Sequence, residues 1–98
     1  MAIRNFKSKG SEDINYGSSS KQARKLLPKE LHGKAQIRLA RLGAATTLRD
    51  LQELRGNRLE TLKGDRKGQY SMRINDQYRI CFRWEGQDAL DVEIVDYH

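Results

Sequence analysis

Three runs in the second half of the chain alternate apolar and polar residues with a period of two. In "QYSMRI", Tyr70, Met72 and Ile74 alternate with Gln69, Ser71 and Arg73. In "QYRICFRW", Tyr78, Ile80, Phe82 and Trp84 alternate with Arg79, Cys81 and Arg83, and in "ALDVEIV", Leu90, Val92 and Ile94 alternate with Asp91 and Glu93. Successive side chains of a strand point to opposite faces, so each run predicts a half-buried strand. A three-residue loop at Asn75, Asp76 and Gln77 sets Tyr70 opposite Phe82, Met72 opposite Ile80 and Ile74 opposite Tyr78. A three-residue loop at Glu85, Gly86 and Gln87 sets Phe82 opposite Leu90, Ile80 opposite Val92 and Tyr78 opposite Ile94. Both registers keep apolar against apolar, whereas a two-residue loop at Asn75 and Asp76 would set Met72 against Arg79. The opposite face then carries two rows, Arg73–Arg79–Glu93 and Ser71–Cys81–Asp91, and is left open with Arg79 near its middle.

The period changes before Gly56. Lys21 to Leu27 reads as a short helix. A second begins near Pro28, which suits a first turn, and sets Leu31, Ala35, Leu39 and Leu42 on one face, with Gly43 as its stop. Gly33 weakens that helix by roughly 1 kcal/mol relative to Ala, so tertiary packing has to hold it. Thr46 or Thr47 can cap a last helix, "TLRDLQEL", that packs Leu48 and Leu51. At the start, "AIRNFK" reads as a short strand anchored by Ile3 and Phe6. The Gly- and Ser-rich "SKGSEDINYGSSS" reads mostly as a mobile loop, with one helical turn around Glu12, Asp13, Ile14 and Tyr16. Helices first and an antiparallel sheet after them predict one α+β domain over residues 1–98, the helices covering the apolar face.

The chain has 98 residues, enough for a single modest core. Its net charge of +6 contributes nothing to compaction and points to a polyanionic partner, nucleic acid first and an acidic protein second. No run is long or apolar enough for a membrane span or an export signal, and no basic amphipathic helix with bulky aromatics suggests a membrane surface. A single cysteine, Cys81, excludes an internal disulfide. The expectation is a cytosolic protein.

Candidate chemistry gathers in three places. "TLKGDRKGQYS" sets Lys63, Arg66 and Lys67 around Gly64 and Gly68; this is either a solvated turn or a phosphate-binding edge, and it lacks the spacing of a Walker loop. Arg79 stands in mid-strand beside Arg73 with Glu93 to balance one of them, which leaves either a structural ion pair or a cation for an anionic ligand. The chain ends on Asp96, Tyr97 and His98, a terminus that either frays or carries a reactive imidazole to the rim of the sheet. His32 reads as a surface residue. Two histidines and one cysteine make no metal-site signature, and neither a catalytic carboxylate pair nor a nucleophile elbow is present.

Together these segments resemble a family. The stretch "NRLETLKGDRKGQYSMRINDQYRICFRW", followed by "DVEIVDYH" and preceded by the "RKLLPKELHGKAQIRL" helix, is similar to the HigB branch of the RelE/ParE superfamily of bacterial toxins. The resemblance runs from "IRNFK" to His98. It implies helices packed on a mostly antiparallel sheet and a toxin from a type II toxin–antitoxin operon. It further implies a HigA-like antitoxin whose helix-turn-helix domain also binds operator DNA, and ribosome-dependent cleavage of mRNA. Carried over residue by residue, Lys63 matches the Lys of the "LKGD" motif, Arg79 the strand Arg, and Asp96, Tyr97 and His98 the terminal "DYH". The implied reaction requires no metal or other cofactor: a ribose 2′-OH attacks phosphorus, a base takes its proton, an acid protonates the leaving 5′-oxygen and cations stabilise the phosphorane. His98 serves as acid or base near neutral pH, Lys63 as charge or base, Arg79 on the non-bridging oxygens, and Tyr97 as a stacking or orienting group. Arg66, Lys67, Arg73 and Asp96 are the expected substrate contacts. In one departure, some ribonuclease members have a His three residues before the Lys, where Glu60 stands here, and this implies a milder toxin. Two competing readings keep the fold: a ParE-like inhibitor of DNA gyrase, and an RNA- or protein-binding module whose catalysis has decayed.

Overall fold

The computed structural model describes residues 3–96. The chain enters as an extended segment that runs parallel to the last strand, bridging Ile3 to Ala89 and Phe6 to Val92. Four helices follow: α1 (Lys9–Asn15), α2 (Lys21–Leu26), α3 (His32–Ala44) and α4 (Leu48–Gln52). The sheet comes last, with β1 (Glu60–Thr61), β2 (Gln69–Arg73), β3 (Tyr78–Glu85) and β4 (Asp88–Asp96) in the spatial order β1-β2-β3-β4 and every neighbour antiparallel. The helices cover one face of this sheet, and the core between them is built on Leu39 and Leu42 of α3, Ile14 of α1, and Met72, Ile80, Phe82, Val92 and Ile94 of the strands. No helix among the described residues is long and apolar enough to cross a membrane.

The segment expected to be mobile is instead α1. Ser8 caps it by accepting from the Ser11 amide at 3.2 Å, and Ile14 is wholly buried. The small residues that suggested a loop serve close packing. A Cβ on Gly10 would come within 2.9 Å of the Gln22 carbonyl oxygen on α2. The Ser11 hydroxyl accepts from the Ile94 amide at 2.9 Å and so continues the outer edge of β4. Asp13 accepts from the Ser20 hydroxyl at 2.6 Å. That bond, with Lys9 at 3.1 Å, holds its carboxyl below the usual range.

Helices α2 to α4 lie close to their predicted places. Ser20 caps α2 and Thr47 caps α4, the latter in a capping box with Asp50. Pro28 precedes a 3₁₀ turn, Lys29–Leu31, and α3 starts only at His32; it passes Gly43 and ends at Ala44. His32, expected on the surface, is buried, with Nε2 2.8 Å from the Leu27 carbonyl oxygen. The corner between α2 and α3 folds back over it and supplies that carbonyl, a contact that helical periodicity does not report.

The two hairpins differ. Between β2 and β3 the observed pairs include Tyr70–Phe82 and Met72–Ile80, and the Ile74 amide donates to the Tyr78 carbonyl at 2.9 Å, as expected. Between β3 and β4 the expected loop and register are overturned. Glu85 pairs with Asp88 across a two-residue loop in which Gly86 takes φ +65°, and Arg83 then pairs with Leu90. A bulge follows, after which Cys81 pairs with Glu93, Ile80 with Ile94 and Tyr78 with Asp96. Asp91, at φ +52°, is the residue the bulge adds. Asn5 of the entering segment holds it, donating to Oδ1 at 2.9 Å and accepting from the Asp91 amide at 3.0 Å. The buried face of β4 is therefore Ala89, Val92 and Ile94, with Leu90 only partly buried.

The bulge also corrects the polar rows. Arg73 and Arg79 are cross-strand partners, but Val95 rather than Glu93 completes their row, and Glu93 rather than Asp91 stands beyond Ser71 and Cys81. That face is not open at its centre, since Ser71, Cys81 and Arg79 are all buried there.

Candidate active site

The cover over the polar face is the excursion between α4 and β2. Asn57 anchors it: buried, it donates to the Leu51 carbonyl at 3.1 Å and accepts from Arg41 at 3.3 Å. Arg58 then turns at φ +43°, and β1 runs back along β2 with Glu60 opposite Ser71. A left-handed Arg costs of order 1–3 kcal/mol, and the contacts on either side of Arg58 hold it there.

Arg79 is 8% exposed. Its Nε donates to the Ser71 hydroxyl at 2.7 Å, and Nη2 donates to the Arg58 carbonyl at 2.6 Å and to the Ser71 carbonyl at 3.4 Å. Glu60 Oε1 stands 3.9 Å from Nη2, an ion pair longer than a hydrogen bond, and the Glu60 side chain is 56% exposed. Among the described residues, neutral oxygens thus orient a cation that the excursion has covered. Glu93, expected to balance Arg79 or Arg73, instead takes Arg66 Nη1 at 3.2 Å, and the same nitrogen donates to Gln69 Oε1 at 3.1 Å. Between Arg66 and Arg79 lies Cys81. Burial pushes its thiol up; the Arg66 charge pulls it down, Glu93 pushes it up and Arg79 pulls it down.

The remaining candidates spread around this centre. Lys63 and Lys67 are exposed at the two ends of the 3₁₀ turn Gly64–Arg66, and Gly64 and Gly68 take the positive φ values expected of them, +64° and +91°. The Leu62 amide donates to the Gln69 carbonyl at 2.9 Å. Lys63, one residue further on, therefore enters three residue steps, ~10 Å along the strand, from the row where Glu60 faces Ser71 and the Arg79 guanidinium lies. Arg73 is ion-paired with Asp76. Asp96, opposite Tyr78 at the end of β4, accepts from Gln77 Nε2 at 3.1 Å. Tyr97 and His98 lie outside the described residues, and so does the part of the site assigned to them. Two contributors were not singled out from the sequence. Ser71 stood in a row next to Arg79, so a hydrogen bond between them was legible in outline. Arg58 gave no signal, because its role comes from a carbonyl and a backbone turn.

The comparisons with known proteins bear on the family and the fold. A family model for the RelE-like toxin of type II toxin–antitoxin system HigB matches residues 5–98. Toxin HigB-1 of Vibrio cholerae serotype O1 is 39% identical over 67 residues, which cover 68% of this chain and 70% of that one. Endoribonuclease HigB of Proteus vulgaris is 37% identical over 60 residues, covering 59% and 65%. A YoeB/ParE toxin from Agrobacterium tumefaciens superposes over 100% of this chain and 99% of its own with a TM-score of 0.51 at 19% identity, a likeness of fold. Helices on an antiparallel meander, a buried strand arginine and a match over nearly the whole length lead to one conclusion: the chain belongs to the HigB-like, RelE-type toxins of type II toxin–antitoxin systems.

Proposed function

We propose that the protein is an endoribonuclease toxin that cuts mRNA on the ribosome by attack of a ribose 2′-OH on the adjacent phosphorus, and that a HigA-like helix-turn-helix antitoxin, which also binds operator DNA, restrains it. The observation that carries the reading is Arg79. A guanidinium fixed by three oxygen acceptors loses little further freedom on meeting a non-bridging phosphate oxygen, and such preorganisation is what stabilises a developing phosphorane charge. The relative named Endoribonuclease HigB supports the same reaction class.

In this reading Arg79 receives the scissile phosphate, Lys63 adds positive charge or removes the 2′ proton, His98 supplies the complementary acid or base, and Tyr97 stacks on a base or orients the ribose. Arg66, Lys67, Arg73 and Asp96 contact the flanking nucleotides. Arg66 is 34% exposed in its pair with Glu93; such a pair is worth about 0–1 kcal/mol, so a phosphate can displace it. The test is induced expression without the antitoxin, followed by mapping of RNA ends. Breaks inside translated frames support the proposal, and removing only Tyr97 and His98 abolishes them while the protein stays folded. Intact mRNA together with gyrase–DNA covalent complexes overturns it.

A further inference from the structure

At the edge of β2, where β1 has diverged, a cavity of about 300 Å³ opens between α3 and the excursion after α4. Its walls are Lys34 and Arg38 of α3, Gly56 and Arg58 of the excursion, and Arg73 and Ile74 at the end of β2. Four of these six residues are cations and none is a carboxylate. Arg73 pairs with Asp76, whose side chain is almost wholly exposed. Arg38 is held over the backbone: its Nε donates to the Arg73 carbonyl at 3.2 Å, and a Cβ on Gly56 would come within 3.1 Å of its Nη2. Burial, and then the charges of Arg41 and Arg73, push the Arg38 guanidinium below its usual range. Cations gathered against their own repulsion gain from any anion placed among them.

The groove is continuous with the active site through two residues. Arg58 lines the groove and holds Arg79 with its carbonyl. Arg73 lines the groove and is the cross-strand partner of Arg79. We infer that this groove is a phosphate subsite for the RNA strand, in which Lys34, Arg38, Arg58 and Arg73 hold a backbone phosphate that flanks the one received by Arg79. The inference rests on the endoribonuclease reading and adds to it a second anchoring point outside the chemistry. A polyanion with evenly spaced charges fits both sites at once. An acidic protein segment fits less well, because the one apolar side chain on the wall, Ile74, is itself buried in the core, and protein interfaces carry apolar anchors at their centres. Contacts to phosphate set the position of a strand without reading its sequence. The subsite therefore sets the register of the RNA and leaves base preference to other groups.

The experiment uses the full chain and a single-stranded RNA dodecamer made uncleavable by 2′-O-methylation, in a series with one phosphate at a time neutralised as a methylphosphonate. The expected result is one position, near that of cleavage, at which neutralisation weakens binding to the unaltered protein by about tenfold. The same neutralisation should have little effect on a Lys34→Gln, Arg58→Gln double variant. That variant should also lose about 0.7 from the slope of log affinity against log salt, the share of one phosphate on a single strand. Lys21→Gln, which removes an exposed charge on α2, should change neither quantity. Equal sensitivity of the variant and the unaltered protein to every methylphosphonate overturns the subsite while leaving the nuclease reading intact. Absence of RNA binding by the unaltered protein overturns the subsite, whereas the nuclease reading, which places cleavage on the ribosome, stands or falls on the mapped RNA ends. If the double variant keeps its RNA affinity but loses affinity for the antitoxin, the groove is a protein-docking surface and the inference is wrong.

Discussion

Arg73 and Arg79 are cross-strand partners of identical charge, yet the fold treats them in opposite ways. Arg79 is buried and oriented by the Ser71 hydroxyl and two carbonyls, with Glu60 at a distance. Arg73 keeps a side chain 29% exposed and pairs with Asp76 in the adjoining loop, an ordinary surface contact. The difference comes from what covers each position. The excursion anchored by Asn57 lies over Arg79 and lends it a carbonyl, whereas Arg73 faces the groove where that cover has left the sheet. One arginine is preorganised, as transition-state stabilisation requires. In the proposed reaction the other, held by an ion pair to an exposed carboxylate, suits a contact that recruits substrate. Glu93 sharpens the contrast: had it stood in their row, it would have neutralised one of them, and the bulge at Asp91 puts it on Arg66 instead.

The largest expected effect follows from breaking the preorganised side. Arg79→Ala should raise the barrier for single-turnover cleavage of ribosome-bound mRNA by about 2–4 kcal/mol, and Arg79→Lys should recover only part of this, because an ammonium cannot reproduce the fork of donors. Thermal unfolding measured on both variants separates catalysis from folding, since removing the guanidinium strips partners from Ser71 and Arg58. If Arg73→Ala costs as much as Arg79→Ala, the contrast is wrong.

Ser71→Ala is the next test. It keeps the charge and deletes the hydroxyl that Nε meets at 2.7 Å. A lost hydrogen bond to a charged group costs roughly 1.5–3 kcal/mol of stability, and cleavage should fall less than in Arg79→Ala because the Arg58 carbonyl still orients the side chain. An unchanged rate would mean that Arg79 is not held by this bond during turnover.

The bulge can be broken from the far end of the chain. Asn5→Ala removes two hydrogen bonds to Asp91, which should lower stability by about 1 kcal/mol and speed amide exchange around residues 91–93. Asp91→Gly in that background should restore part of the loss, since glycine takes positive φ without steric cost. A chemical-denaturation series decides it: no rescue would show that Asp91 is not strained once Asn5 is gone.

The smallest effect concerns Glu60. Glu60→Gln removes a mostly exposed negative charge 3.9 Å from Arg79 and should tighten RNA binding by no more than about 1 kcal/mol. Glu60→His adds a group that titrates near neutral pH and should also speed the chemical step. If both substitutions slow cleavage at unchanged stability, the carboxylate itself takes part in the reaction.

Much of this molecule is decided close along the chain. Period-two alternation placed β2, β3 and most of β4. The Asn75–Gln77 loop set the first hairpin's register, and 3.6-residue spacing marked Ala35, Leu39 and Leu42 as the buried face of α3. Local caps and apolar periodicity contain that information, and so does the motif around Lys63 and Arg79 that led to the family. What the tertiary structure alone decided came from distant partners. Asn5 selects the bulge that moves Glu93 away from Arg79; a Gly10 contact with α2 and a Ser11 bond to β4 turn an apparent loop into α1; and the Arg58 carbonyl, 21 residues from Arg79 in the chain, buries a cation that alternation places on an open face. Alternation records which side of a strand is wet when nothing else arrives, and a folded segment that supplies hydrogen-bond acceptors can reverse that, because a buried guanidinium is tolerated wherever its donors are met.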